Sequence, residues 1–220
     1  TLDLFVAFDS SLKVYTSSDG MTWTNTATLS NAVLSVMWSP AVSLFVAGGS
    51  SKVFTSPDGT TWTSYTVGGV NYEGIAYSPS AGVHVIVGAG GALYTSPDAV
   101  TWTPRTSGAV GALHDVCYGS NSNLFVAVGG STTSIITSSN GTTWTTRRTS
   151  GVELYGVTFD PITNTYIAVG ASGTILASIN GITWTTDTLS PSTTEYMYRV
   201  AHGNGLNIAA GGSGIIYTNP

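Results

Sequence analysis

Five tryptophans divide the chain into nearly equal parts. Trp23, Trp62, Trp102, Trp144 and Trp184 stand 39, 40, 42 and 40 residues apart. Each sits near the end of one recurring turn: TSSDGMTWT, TSPDGTTWT, TSPDAVTWT, TSSNGTTWT and ASINGITWT. Three other segments keep the same period. One runs LFVAF, LFVAG, VHVIVG, LFVAVG, TYIAVG and LNIAAG from Leu4, Leu44, Val83, Leu124, Thr165 and Leu206. A second runs KVYTS, KVFTS, ALYTS, SIITS, TILAS and IIYTN, and a third LSVMWSP, EGIAYSP, HDVCYGS, YGVTFDP and YRVAHGN. A period near forty built from such pieces means one small unit stacked many times.

Each unit reads as four short strands, A (YGVTFD), B (TYIAVG), C (TILAS) and D (TWTT). All are β-branched or aromatic-rich and bounded by Gly, Pro, Ser or Asn-Gly, and no window shows helical period. Only 8% of residues are charged and 27 are Gly, which suits short strands and tight turns. Four-stranded sheets repeated about an axis make an all-β propeller. The expectation is one domain over residues 1–220, of four-stranded antiparallel blades. The chain begins B–C–D and ends A–B–C. Six sheets are therefore expected, the first lacking its inner strand and the last its outer one; five blades with an overhang is the alternative. Incomplete ends leave unpaired edges, so self-association through the terminal blades is one expected partner mode.

The repeated turn resembles the Asp-box of BNR-like propellers, Ser-x-Asp-x-Gly-x-Thr-Trp. Such turns occur in sialidases, in bacterial and phage proteins, and in propellers like photosystem II assembly factors. In SPDGTTW (Ser56 to Trp62) no residue separates Asp from Gly, so the turn here is one residue shorter. The residue types suit a fastener. Asp or Asn can accept hydrogen bonds from its own turn, Gly allows positive φ, and Trp buries a large ring between sheets. Asp19, Asp58 and Asp98 are matched by Asn140 and Asn180. Asn keeps the turn-forming oxygen but cannot serve as acid, base or strong cation ligand, so the boxes are expected to be structural.

The sialidase resemblance would imply an arginine trio, a Tyr nucleophile paired to Glu, and an Asp acid/base. The arginines are Arg105, Arg147, Arg148 and Arg199, two of them adjacent, and the family's Arg-Ile-Pro signature has no counterpart. No carboxylate pair at a defined spacing supports glycoside chemistry. His84, His114 and His202 lie on different strands without ligand-type spacing, so no metal and no cofactor is expected. Cys117 matches Met37, Ala76, Thr158 and Ala201 in the other repeats, which marks a packing position. A single Cys excludes an intramolecular disulfide framework. The net charge of −5 with six Lys and Arg argues against nucleic acid. No run approaches a membrane helix, so membrane insertion is not expected. The chain begins at Thr1 without Met and shows no signal peptide, which reads as processed or cut from something longer.

Positions that agree between repeats hold the frame, and positions that diverge are candidates for function. Strand A is anchored on Val36, Ile75, Val116, Val157 and Val200. Two residues earlier stand Leu34, Glu73, His114, Tyr155 and Tyr198; one earlier, Ser35, Gly74, Asp115, Gly156 and Arg199. Strand A of a propeller lines the axial channel, and resemblance to Asp-box propellers places ligand sites where strands A begin, opposite the boxes. The expected contacts are Glu73, His114, Asp115, Tyr155, Tyr198 and Arg199. The variable D–A loops are expected to add Arg105, Arg147, Arg148 and Glu195. The leading expectation is a non-enzymatic recognition module, carbohydrate-binding or part of a phage or secreted surface assembly, with a glycan or protein partner. The compartment is left open, virion-associated or extracellular being the expectation that goes with this function. The alternatives are an assembly or scaffold factor like the photosystem II propellers, and a divergent glycosidase.

Overall fold

The apolar B segments are unbroken rather than alternating because both faces of each sheet are covered. In the computed structural model, Val126 and Val128 point into one cluster with Leu154 and Val157, while Phe125 and Ala127 point into another with Val87, Leu93 and Val116. The same division places Ile167 and Val169 with Met197 and Val200, and Val46 and Val53 with Tyr72 and Ile75. The core is thus a series of sandwiches between successive sheets. Each fully buried aliphatic side chain there contributes about 1.5–3 kcal/mol.

The structure describes residues 3–130, 132, 134–149, 151–186 and 194–219. The first sheet holds β1 (Phe5–Phe8), β2 (Lys13–Ser17) and β3 (Thr24–Thr28). The second holds β4 (Val33–Ser39), β5 (Leu44–Ser56), β6 (Thr63–Ser78), β7 (Val83–Gly88), β8 (Leu93–Ser96) and β9 (Thr103–Pro104). A four-stranded sheet follows, β10 (Leu113–Gly119), β11 (Leu124–Gly129), β12 (Ile135–Ser138) and β13 (Thr145–Arg148). Another has β14 (Leu154–Asp160), β15 (Thr165–Gly170), β16 (Ile175–Ser178) and β17 (Thr185–Thr186). The last has β18 (Met197–Gly203), β19 (Leu206–Gly211) and β20 (Ile216–Asn219). All pairings are antiparallel meanders, the geometry of propeller blades.

The blade count by hydrogen-bonded sheet is therefore five, not the six expected first. The reason is β6. Its first half pairs with β5 and its second half with β7, so the outer strand of one repeat runs on as the inner strand of the next. The segment SYTVGGVN, expected as a D–A loop, lies inside this strand. The counterpart loop near the end of the chain, over 186–196, falls largely outside the described residues. The terminal sheets have three strands each, as the repeat phase requires. Their outer faces are bare. Phe5 is 55% exposed whereas its counterparts Phe125 and Tyr166 are 0%, and Ile208 is 42% exposed against 6% for Ile167.

The five box turns have one geometry. In the second, Thr60 and Thr61 donate their N–H groups to Asp58 Oδ1 at 2.8 and 2.7 Å, and Trp62 Nε1 donates to the Gly59 carbonyl at 3.1 Å. Asn140 accepts from Thr142 and Thr143 at 2.9 and 3.0 Å, and Asn180 from Ile182 and Thr183, both at 2.9 Å. Asp19 and Asp98 accept the matching pairs. Trp23, Trp102, Trp144 and Trp184 repeat the indole bond. Backbone N–H donors hold Asp19 and Asp98 down to about 2, well below the ordinary carboxylate. One oxygen of each Asp or Asn and each indole N–H are thus engaged within the box's own turn.

Candidate functional site

All five inner strands carry a register shift at the same place. It falls between Val33 and Ser35, Tyr72 and Gly74, Leu113 and Asp115, Leu154 and Gly156, and Met197 and Arg199. The extra residues are Leu34, Glu73, His114, Tyr155 and Tyr198, the divergent row of the sequence. A β-bulge leaves one residue out of the ladder and re-aims its side chain, and bulges are enriched beside functional sites.

Four of these residues form a continuous strip. When protonated, His114 donates from Nδ1 to Glu73 Oε2 at 2.7 Å and from Nε2 to Glu153 Oε1 at 2.8 Å. The Tyr155 hydroxyl donates to the other Glu153 oxygen at 3.2 Å. The His114 ring lies 5.3 Å from that of Tyr155, which in turn lies 5.7 Å from Tyr198 and 5.9 Å from Tyr196. Arg199 donates from Nη1 to the Tyr155 carbonyl at 2.8 Å. Glu73, His114, Tyr155, Tyr198 and Arg199 line a cavity of about 240 Å³. Tyr196 and Tyr198 are 45% and 49% exposed, so their rings are open to a ligand.

The charges follow from the contacts. The Glu73 hydrogen bond raises the His114 pKa, working against burial, and the Glu153 hydrogen bond adds to it. Burial, followed by the Glu153 charge, pushes Tyr155 up to about 12, so its phenol keeps its proton. A folded-state pKa raised above that of the unfolded chain stabilises fully below about pH 6.5, and the gain is lost as pH rises through the folded value. His114→Gln is therefore expected to cost about 1.5 kcal/mol near pH 6 and progressively less toward pH 9. Thermal melts of both proteins across that range check it; an equal loss at every pH would mean the imidazolium is not the form that bridges the two glutamates.

Asp115 stands apart from the cavity. Its Oδ1 accepts from its own Val116 N–H at 2.9 Å, and its Oδ2 from Val157 of the next inner strand at 3.1 Å. Burial pushes its carboxyl up to about 6, against the pull of those N–H groups and of Arg199. It clasps two strands. Its neighbours in that row are small for a steric reason: a Cβ at Gly74 would stand 2.7 Å from the Asp115 Cα, and one at Gly156 3.1 Å from the Arg199 Cα. Arg105 and Arg147, expected near the mouth, instead bond Thr95 and Thr137 on their own sheets. Arg147 lies beside the Asn140 box, at the opposite end. The bond to Thr137 on the neighbouring β12 holds the Arg147 side chain beside that box. The Arg148 guanidinium lies against Gly151, and Glu195 beside Gly212.

His84 is a core residue, its Nε2 bonded to the Ser39 hydroxyl at 2.7 Å and its Nδ1 donating to the Ser96 carbonyl at 3.1 Å. His202 bonds Asn207, which donates to Asp160. Burial pushes the Cys117 thiol well up. Two contributors were not singled out from sequence, Glu153 and Tyr196. They occupy the position four before the anchor, where Ala32, Asn71 and Ala112 stand in other repeats. That row is as mixed as the chosen ones, and this was the available signal. No group of three or more His, Cys, Asp or Glu placed to hold a metal ion occurs among the described residues.

No family model matches the chain, and no curated protein matches it. Solved structures do. A structure of YCF48 bound to D1 peptide is 16% identical, covers 98% of this chain and 74% of its own, and superposes with a TM-score of 0.72. A nidogen/laminin complex is 11% identical, covering 94% and 84%, with a TM-score of 0.73. A mitotic checkpoint complex is 13% identical, covering 96% and 67%, at 0.74. At these identities the likeness is one of fold: this chain is a β-propeller built from four-stranded antiparallel units.

Proposed function

We propose that this propeller, of the Asp-box type by its turns, is a non-enzymatic recognition module whose ligand seats at the mouth where the inner strands begin. The observation that carries this is the strip of bulge residues, Glu73, His114, Tyr155 and Tyr198, joined by Glu153 and Arg199 around one shallow cavity. Flat exposed Tyr rings beside both donors and acceptors suit a sugar ring: apolar faces for stacking, and polar anchors for hydroxyls. Arg199 alone of the four arginines lines the cavity, so the Tyr155–Glu153 pair has no clamp of three arginines beside it, which favours binding over glycoside chemistry. A second reading, a scaffold for a protein partner, is favoured by the fold neighbours, which are held with a peptide or with other proteins. The bare terminal sheets add self-association to the partners proposed.

The test is a glycan array followed by calorimetry. Tyr155→Ala and Arg199→Ala are each expected to weaken the best array hit at least about tenfold, the worth of one well-made contact. If both bind like the parent while changes on the box side abolish binding, the functional face is the opposite one. An array without hits, with a protein partner captured and lost in the same two variants, selects the scaffold reading.

A further inference from the structure

We propose that the ligand of the mouth carries an ammonium group, as an amino sugar does, and that this group is seated between Glu73 and a neutral His114. The inference rests on the sugar reading above and names the class of sugar.

Charge and access both point to a cation. The groups around the His114 ring are Glu73 on β6, Asp115 on its own strand β10, Glu153 just ahead of β14, Tyr155 on β14 and Arg199 on β18. Arg199 is turned to the Tyr155 carbonyl, and its charge acts on Asp115. Tyr155 keeps its proton. What remains is two carboxylates on one imidazole, negative in sum whether or not the ring is protonated. The His114 side chain is only 16% exposed, whereas those of Glu73 and Glu153 are 27% and 40% exposed. The carboxylates are thus open where the ring is covered. Glu73 and His114 line the cavity beside Tyr155 and Tyr198, and the faces of tyrosine rings attract cations.

The hydrogen-bond pattern defines the seat. With both nitrogens protonated, the ring donates to Glu73 Oε2 from Nδ1 at 2.7 Å and to Glu153 Oε1 from Nε2 at 2.8 Å. When the Nδ1 proton leaves to solvent, Nε2–H still donates to Glu153, and Nδ1 turns a lone pair toward the Glu73 carboxylate. Two acceptors then face each other with no donor between them. An ammonium has donors and no acceptor, so it satisfies both and restores the lost charge. A hydroxyl or an acetamido group has one proton to give and brings no charge, so the mouth selects against it at this position. Binding therefore releases the imidazolium proton. The Glu73 bond, followed by that of Glu153, raises the His114 pKa, so below the raised value the proton competes with the ligand. Affinity rises with pH as His114 loses its proton, until the ligand's own ammonium titrates. His114 stands outside the ladder at its bulge, and Leu34, Tyr155 and Tyr198 hold the same place in other repeats, so the frame does not demand a histidine there.

The probes are the linear trimer of glucosamine and its fully N-acetylated counterpart, titrated into the full chain by calorimetry. Each titration is run at about pH 6.5 in two buffers of different ionisation enthalpy. The amine trimer is expected to bind at least about tenfold tighter than the acetylated one, with a heat that differs between buffers in the sense of proton release. Its affinity is expected to rise from pH 6 to pH 7. Glu73→Gln, with its fold checked by a thermal melt, should bring the two trimers level. His114→Gln should keep the preference for the amine, since its side-chain oxygen still accepts, but lose the buffer dependence. Equal binding of the trimers, a preference that survives in Glu73→Gln, a heat independent of buffer, or no saturation by the amine trimer up to about 10 mM would each overturn the proposal. If the acetylated trimer alone binds and Tyr155→Ala abolishes it, the ammonium seat falls while the mouth remains the sugar site. If the amine trimer binds unchanged in Glu73→Gln, Tyr155→Ala and Arg199→Ala, both ideas fall.

Discussion

Trp62→Ala is expected to destabilise the protein by about 3 kcal/mol, while Asp58→Asn in the same turn costs under about 1 kcal/mol. The indole reaches from its own turn into the gap between the first sheet and the second. Its ring meets Phe8 at 5.3 Å edge-on and Phe45 at 6.4 Å, so truncation empties a gap between two sheets. The carboxylate, by contrast, acts inside its own turn. Asp58 uses one oxygen for the Thr60 and Thr61 N–H groups, and Asn140 presents an amide oxygen to the equivalent donors, Thr142 and Thr143, at nearly the same distances. Those donors, Thr61 first, hold the Asp58 carboxyl well below the usual range. A depressed folded-state pKa stabilises above the unfolded value near pH 4 and is lost as pH falls through the folded one. The small deficit of Asp58→Asn should thus be full at pH 7 and shrink as the pH falls below about 4. Thermal melts at pH 7 and pH 3 measure both variants. Comparable losses at pH 7 would mean that the charge, and not the oxygen, holds the turn.

The repeat made the architecture legible. Trp spacing, unbroken apolar B segments and turn punctuation are local and periodic, and together they permit few folds. The divergent row was legible for the same reason, because a site on a repeat scaffold shows as a break in the repetition. What was hidden depends on contacts between repeats. Nothing in SYTVGGVN announces that two sheets run together through one strand. Asp115 looks like a mouth residue until Val157 of the neighbouring strand is seen to occupy its second oxygen. Glu153 lies in a loop by sequence and reaches the site only because His114, 39 positions away, turns its Nε2 toward it. The bulge was also invisible: alternation places Leu113 and Asp115 on one face, and the register shift between them frees His114 to point elsewhere. Arg105 and Arg147 were misplaced because proximity along the chain to a variable loop says nothing about which face a strand side chain takes.

Gly129→Ala is expected to cost at least about 4 kcal/mol, beyond the range of ordinary substitutions. The residue ends β11, and a Cβ there would overlap the carbonyl oxygen of Ala112 and stand 2.8 Å from the Leu113 Cα. Gly49, Gly88, Gly170 and Gly211 meet the equivalent carbonyls of Ala32, Asn71, Glu153 and Tyr196 in the same way. At four of the five places the residue after the glycine donates its N–H to that carbonyl: Ser50 to Ala32, Gly130 to Ala112, Ala171 to Glu153 and Gly212 to Tyr196, at 2.8–2.9 Å. This bond fixes the chain two residues before each bulge, so a methyl group that drives the strands apart also displaces His114 from Glu73. The strain is steric and not a matter of φ, which separates it from Gly108→Ala. There φ is +71° and nothing lies within 4 Å of the added carbon, and the cost should be about 1 kcal/mol, that of a left-handed alanine. Denaturant melts of the two variants give the comparison, and the His114 ring resonances in the Gly129 variant report on the mouth. A loss below about 2 kcal/mol for Gly129→Ala, with the imidazole signals unmoved, would show that the inner strands yield cheaply at this point and that the bulge row is positioned by something else.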